Sequence, residues 1–382
     1  MSKLLGFTEN EAVNKKMENT IREISRQPNV WKAIYDKVLM RKKEIESFME
    51  KIDKSTRIIF TGAGSSGFVG DSLAPAVREE LGYHHIESIH TTDIVANPSQ
   101  YLVKDAKTLL ISFGRSGDSP ESIAAIEIAE NNIKDLFHII ITCNSQGKLA
   151  SFNNERTINF VFDEAGDKGF AMTSSVTGMM LAAYSILNIA KDVSGDVAKI
   201  VAYTEELINT KYPIIFDSYK NGVDRLVVLG AGNLLGAAKE SALKLLELTA
   251  GKIISRYDTP MGFRHGPKAM LTPNTTILYF VSNNEYTQKY DLDMLKELSQ
   301  ASKYNLIAVS DKYDADIEKH ADVYIFNSNM ENLDEAFTPY VSLVIAQLYA
   351  LFASVQLNCT PDNPFPSGEV NKIVQGVSIY NS

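Results

Sequence analysis

Three short stretches of this 382-residue chain combine residue types and spacings suited to chemistry. The first is a pair of turns. "TGAGSSG" (61–67) and "FGRSGDSPE" (113–121) each follow an apolar run and precede a helical pattern. In the second turn Ser119 is placed to cap a helix and Pro120 to occupy its first position. Ser116, Gly117 and Ser119 then offer hydroxyls and backbone N–H groups to one point, where the helix N-terminus adds partial positive charge. The guest such a turn suits is a phosphate group. Arg115 supplies a fixed cation, and Gly64, Ser65 and Ser66 of the other turn complete a cup. The same residues would also serve as plain capped turns, and that reading stays open. Neither turn ends in Gly-Lys-Ser/Thr, which argues against a nucleoside triphosphate loop, and one Gly-rich turn is weak support for a dinucleotide site.

The second stretch is "KESALKLLELTAG" (239–251). At roughly 100° per residue, Glu240, Lys244 and Glu247 fall within about 60° of one another, and apolar side chains cover most of the remaining circumference. Two readings fit. The stripe is either an exposed ladder of ion pairs or the lining of an enclosed polar space, where a carboxylate beside a lysine can carry protons. The third stretch, "YDTPMGFRHGPKAM" (257–270), sets His265 in a turn framed by Gly and Pro. The other five histidines lie on or beside apolar strands and helix ends and read as structural. No pair has metal-ligand spacing.

Positioning these groups requires a scaffold, and the pattern of the chain supplies one. Residues 1–55 read as helices, with Thr8 and Glu11 fitting a capping box and a break near Pro28. From Arg57 onward short apolar strands alternate with helices, the signature of parallel βαβ units. A helical block spans about 172–220, and then the pattern repeats. "RIIFTGAGSSGFVGDSLAPAVREELG" (57–82) can be laid over "RLVVLGAGNLLGAAKESALKLLELTAG" (225–251), with Gly62, Ala63 and Gly64 on Gly230, Ala231 and Gly232, and Glu79 on Glu247. The expected architecture is a tandem duplication of one doubly wound α/β domain. The domain expectation is a helical segment at 1–55, two α/β domains at 56–205 and 206–360, and a tail at 361–382.

Composition narrows the partners. A net charge of −9 provides no global basic field for nucleic acid or an anionic membrane, so any anion must be captured locally. The N-terminal residues lack the apolar core of a signal peptide, and the runs at 179–190 and 340–357 are interrupted by polar residues and read as buried helices. Cys143 and Cys359 are too few for a disulfide framework or a zinc site. A cytoplasmic protein with no membrane span is expected.

Together, "GAGSSG", "GRSGDS", "KESALKLLE" and "RHGP" on a duplicated α/β unit resemble the sugar isomerase (SIS) domain family. The likeness runs from "EISRQPNVW" (23–31) to "NPFPSGEVNKIVQGV" (363–377). It is similar to the isomerase half of glucosamine-6-phosphate synthase, and most similar to the branch of galactosamine-6-phosphate deaminases and tagatose-6-phosphate ketose/aldose isomerases. The resemblance implies two flavodoxin-like three-layer domains and a hexose or hexosamine 6-phosphate substrate. It places the phosphate against Ser66, Arg115, Ser116 and Ser119, where the synthase pattern reads Ser-Gln-Ser-Gly-Glu-Thr and Gly114 and Arg115 depart from it. It makes Glu247 the enolisation base, Lys244 and Glu240 its polar companions, and His265 a ring-opening histidine donated by the partner subunit of a homodimer. "AMTSSVTG" (171–178), with Thr173 and Ser174, matches a sugar-binding loop, and Lys372 stands near the family's tail lysine. No metal or organic cofactor is implied. The synthase's amino-terminal glutaminase domain has no counterpart in the sequence, so the catabolic direction is expected. Alternatives within the same resemblance are plain isomerisation, deamination of glucosamine 6-phosphate, and a non-catalytic sugar-phosphate sensor.

Overall fold

The computed structural model describes residues 3–83, 85–301, 303–327, 332–372 and 376–380; His84 lies outside them, as does the side chain of Glu79. By contacts the chain forms two compact units: one of residues 29–167, 174–193 and 367–382, the other of residues 1–28, 168–173 and 194–366.

The unit beginning at residue 29 is built on a five-stranded parallel sheet. Its strands are β3 (Arg57–Thr61), β4 (Ile86–Ser88), β5 (Thr108–Gly114), β6 (Leu136–Thr142) and β7 (Thr157–Val161), ordered β4-β3-β5-β6-β7. Runs such as Leu109-Leu110-Ile111 are apolar on both faces because helices cover both sides of a parallel sheet. One face packs Ile59, Leu110 and Ile140 against Ile94, Ala125 and Ile128. Helix Ser174–Leu187 is buried along its whole length. Trp31 is sealed in the same unit, its Nε1 donating to Thr177 Oγ1 at 3.0 Å.

The other unit repeats that order with β8 (Arg225–Leu229), β9 (Ile254–Asp258), β10 (Thr275–Phe280), β11 (Asn305–Val309) and β12 (Val323–Ile325), arranged β9-β8-β10-β11-β12. The match of the two orders is the structural form of the duplication read from the sequence. Helix Thr338–Gln356 packs inside this unit against helix Asn233–Leu248. By length and composition the span Glu335–Gln356 could cross a membrane, but its apolar window is entirely buried in the protein.

The amino terminus departs from the all-helical expectation. A two-stranded antiparallel ribbon, β1 (Lys3–Leu4) and β2 (Phe7–Thr8), precedes the first helix. Strands of two residues carry no periodicity to detect. The capping box forms as expected, with Thr8 Oγ1 accepting from Glu11 N and the Glu11 carboxylate accepting from Thr8 N at 2.7 Å. The histidine of β6 is structural: buried His138 meets the Glu130 carboxylate at 2.9 Å, and burial lowers its pKa against the opposing pull of Glu130.

A second buried ionisable group sets a measurable pH dependence. Asp291 is 1% exposed; its Oδ2 accepts from Ser282 N at 2.9 Å and its Oδ1 has no hydrogen-bond partner. Burial pushes its pKa from 3.8 up to about 7, with the Ser282 N–H pulling the other way and the Glu335 carboxylate adding to the rise. Because the folded value lies above the unfolded one, its contribution to stability is fully present below pH 3.8 and is lost as pH rises through about 7. Asp291→Asn is therefore expected to match the parent near pH 4 and to exceed it by on the order of 2 kcal/mol at pH 8. Urea denaturation across that range checks it, and parallel curves for the two proteins would contradict it.

Candidate active site

In the unit beginning at residue 29, β3 and β5 are neighbours, so both Gly-rich turns emerge from adjacent strands at the carboxyl edge of the sheet. This is the switch point where open α/β sheets bind ligands. After Thr61 the chain turns so tightly that a Cβ on Gly62 would lie 2.6 Å from the Ser66 carbonyl carbon and oxygen. Gly64, at φ 56°, caps helix Ser65–Leu81, whose first residues Ser65 and Ser66 are buried. After Gly114 the second turn runs through Gly117, at φ 69°, to Ser119, whose hydroxyl accepts from Ser122 N at the start of helix Pro120–Asn132. Two helix N-termini thus open beside each other, which suits an anion.

The second turn is fastened from a segment that the sequence pattern gave no reason to single out. Asn144 Nδ2 donates to Ser116 O at 2.8 Å, Leu149 N to Gly117 O at 2.9 Å, and Lys148 N to Asp118 Oδ1 at 3.1 Å. Any side chain at Gly147 would collide with Ser116 O. The Arg115 guanidinium donates to Lys372 O at 3.0 Å, and Lys372 Nζ donates to Asp167 O at 2.8 Å. The tail lysine is therefore tied to the cation of the turn through its backbone. Asp167 is a second residue missed in the sequence. Its carboxylate accepts from the backbone N–H groups of Ser174 and Ser175 and from both hydroxyls, capping helix Ser174–Leu187. Ser174 Oγ also lies 3.1 Å from Ala165 O, so this hydroxyl is engaged within the fold.

In the unit containing β8–β12, helix Asn233–Leu248 carries the charged stripe. Ser255 Oγ, donating to Ala242 O, and Ser354 Oγ, donating to Leu248 O, pin the helix along its length. The exposed-ladder reading does not hold: the Lys244 side chain is 0% exposed, Glu240 1% and Glu247 23%. Lys244 Nζ lies 2.5 Å from Glu247 Oε2 and 3.4 Å from Glu240 Oε1. A fully buried ammonium held by two carboxylates is stable only because the pairing offsets desolvation. Of the two acids, Glu247 alone keeps appreciable contact with solvent. His265 lies beyond helix Pro260–Phe263 and is exposed. Thr173 is buried, its carbonyl accepting from Gln347 Nε2 at 3.4 Å. Among the described residues, no group of three His, Cys, Asp or Glu is arranged to hold a metal ion.

The SIS domain family model matches residues 51–190 and again 221–355. The chain belongs to the SIS domain family. Its two SIS copies coincide with the two parallel sheets. Among relatives with curated names, D-galactosamine-6-phosphate deaminase AgaS of Shewanella sp. (strain ANA-3) is 37% identical over 94% of this chain and 91% of its own. Among solved structures, a Clostridium novyi protein provisionally designated tagatose-6-phosphate ketose/aldose isomerase is 41% identical, with TM-score 0.96 over the full length of both chains. The tagatose-6-phosphate ketose/aldose isomerase of Escherichia coli is 35% identical, with TM-score 0.86 over 95% of this chain and 96% of that one.

Proposed function

We propose that this protein is a cytoplasmic enzyme that converts galactosamine 6-phosphate and water into tagatose 6-phosphate and ammonia. The observation that carries the reading is the pairing of Lys244 Nζ with Glu247 Oε2 at 2.5 Å, an ammonium wholly removed from water beside a carboxylate that is not. Such a carboxylate can take a proton from carbon, and the adjacent cation favours the anionic charge that develops. The name of the Shewanella relative supports the choice of substrate.

In this reading Ser65, Ser66, Arg115, Ser116 and Ser119 hold the 6-phosphate and fix the register of the sugar. His265 assists opening of the pyranose ring. Glu247 removes the proton from C2, made acidic by the C1 aldehyde, and Lys244 stabilises the oxyanion of the resulting enolamine. Glu247 returns the proton to C1, leaving a ketose imine at C2; water adds there and ammonia departs. No step calls for a cofactor. The names of the Clostridium and Escherichia structures support a second reading, in which C2 carries a hydroxyl and the same two proton transfers interconvert aldose and ketose. Incubation with galactosamine 6-phosphate, glucosamine 6-phosphate and tagatose 6-phosphate, following ammonia and ketose phosphate separately, tests both. Equal yields of ammonia and tagatose 6-phosphate are expected from the first substrate, and ketose without ammonia from any amino sugar would sink the deaminase reading.

A homodimer sharing its active sites belongs to the same proposal. Exposed His265 lies in the same unit as Leu246, Ile254, Tyr257 and Met261, large apolar side chains that are also exposed. If His265 serves the partner's Glu247, mixing inactive Glu247→Gln and His265→Ala proteins after subunit exchange restores up to about one quarter of parental activity, because half the dimers are mixed and each has one intact site. A mixture as inactive as its components would contradict the shared site.

A further inference from the structure

The apolar core beneath the two Gly-rich turns ends in a layer of polar residues. On the sheet face where Ile59, Leu110 and Ile140 meet Ile94, Ala125 and Ile128, each element places a polar residue one period nearer the carboxyl edge. Side chains alternate across a strand, so Thr61 shares the face of Ile59, Ser112 that of Leu110 and Thr142 that of Ile140. On the helices, Glu121 stands four residues before Ala125 in Pro120–Asn132, and Thr91 three before Ile94 in Thr91–Ala96. Strand register keeps the three strand residues together: Thr61 pairs with Ser112, and Thr142 with Gly114, the second residue after Ser112.

All five residues are 9% exposed or less, and each has a buried oxygen with no hydrogen-bond partner: Thr61 Oγ1, Thr91 Oγ1, Ser112 Oγ, Glu121 Oε2 and Thr142 Oγ1. Unpartnered polar atoms are rare in a protein interior, and this many in one layer mark a place with polar capacity that the fold does not fill. The Glu121 carboxylate decides what fits there. The first turn of a helix favours its negative charge, and a buried charge is stable when it is paired or coordinates a cation. Water would satisfy the hydroxyls but leave that charge unmatched. One carboxylate balances one positive charge, and among the described residues no group of three His, Cys, Asp or Glu is arranged for a metal ion, so a divalent ion is not suited.

We propose that this layer is a binding site for one monovalent metal cation, sodium or potassium, held by Glu121 Oε2 and the hydroxyl oxygens of Thr61, Thr91, Ser112 and Thr142. Hard cations take oxygen ligands, and every group offered here is an oxygen. The site underlies both turns. A Cβ on Gly117 would stand 3.1 Å from Thr142 Oγ1, and Thr91 N donates to Gly62 O at 2.9 Å. The consequence for the reaction rests on the reading of those turns as a phosphate cup: the cation adds positive charge beneath the bound anion, on the far side from solvent, where screening is weak.

Melting curves in chloride salts of equal ionic strength, with no phosphate present, test the site. At about 0.1 M, sodium or potassium is expected to raise the melting temperature of the parent by about 3 °C or more over tetramethylammonium, which is too large to enter, and the rise should saturate with concentration. Glu121→Gln keeps the shape and loses the charge, and is expected to lose most of that rise. Thr142→Val keeps the shape and loses one ligand, and is expected to need about tenfold more cation for half of the rise. Equal melting of the parent in all three salts, or a parental rise and midpoint in both variants, would overturn the inference; if Glu121→Gln does not fold, the parent and Thr142→Val decide it. Failure of a hexitol 6-phosphate to bind in sodium or potassium chloride would instead reject the reading of the turns and leave the cation site standing.

Discussion

Glu247→Gln is expected to lower turnover by about a thousandfold while leaving the affinity for a phosphate ester within about threefold. The amide keeps the shape and a hydrogen-bonding oxygen towards Lys244 but cannot accept a proton from C2. The phosphate contacts proposed for Ser66, Arg115, Ser116 and Ser119 belong to other residues, so binding and chemistry should separate: kcat falls and the dissociation constant of an inert hexitol 6-phosphate stays. Ser116→Ala should do the reverse, raising KM with a smaller effect on kcat. Steady-state kinetics with calorimetric titration checks both. If Glu247→Gln loses binding and turnover together, the carboxylate is holding the site in shape and its assignment as the base fails.

Lys244→Met is expected to destabilise the fold by about 3 kcal/mol or more, the largest stability loss of any substitution considered. Lys244 is fully buried and within 4 Å of two carboxylates, one of them, Glu240, itself only 1% exposed. Removing the cation leaves Glu240 charged in a place that water does not reach. The cost comes from the partner left behind, and so it should be recoverable. Glu240→Gln placed on Lys244→Met should restore a large part of the lost stability while activity stays low, because Lys244 is also proposed to stabilise the oxyanion. Urea denaturation of the two single variants and the double gives the coupling directly. Additive losses would mean that the groups do not interact as their separation implies.

The duplication was legible because the two Gly-Ala-Gly turns are short and locally determined. So was the capping role of Ser119, where Pro120 follows a small polar residue at the end of an apolar run. The burial of the charged stripe was not. A helical projection reports which residues share a face but not what covers that face, and Glu240 and Lys244 are as enclosed as Leu245 and Leu248 on the same helix. Strand β9 escaped for a related reason: Ile254, Arg256 and Tyr257 lie on an edge strand with much of their surface exposed, so no buried apolar run marks it. Asn144 acts by bonding the backbone of Ser116, 28 residues earlier, and Asp167 by reaching across a loop to Ser174 and Ser175, seven and eight residues on; neither bond follows a helix or strand period that a sequence shows. The pairing of Glu79 with Glu247 in the sequence overlay falls on a side chain outside the described residues.

Running the reaction in heavy water tests the central claim most directly. If a carboxylate carries the proton from C2 to C1, the tagatose 6-phosphate formed by the parent should carry deuterium at C1 in part of the population, and Glu247→Gln should form neither labelled nor unlabelled ketose at a comparable rate. Ketose made equally fast by both proteins, with only protium at C1, would contradict it.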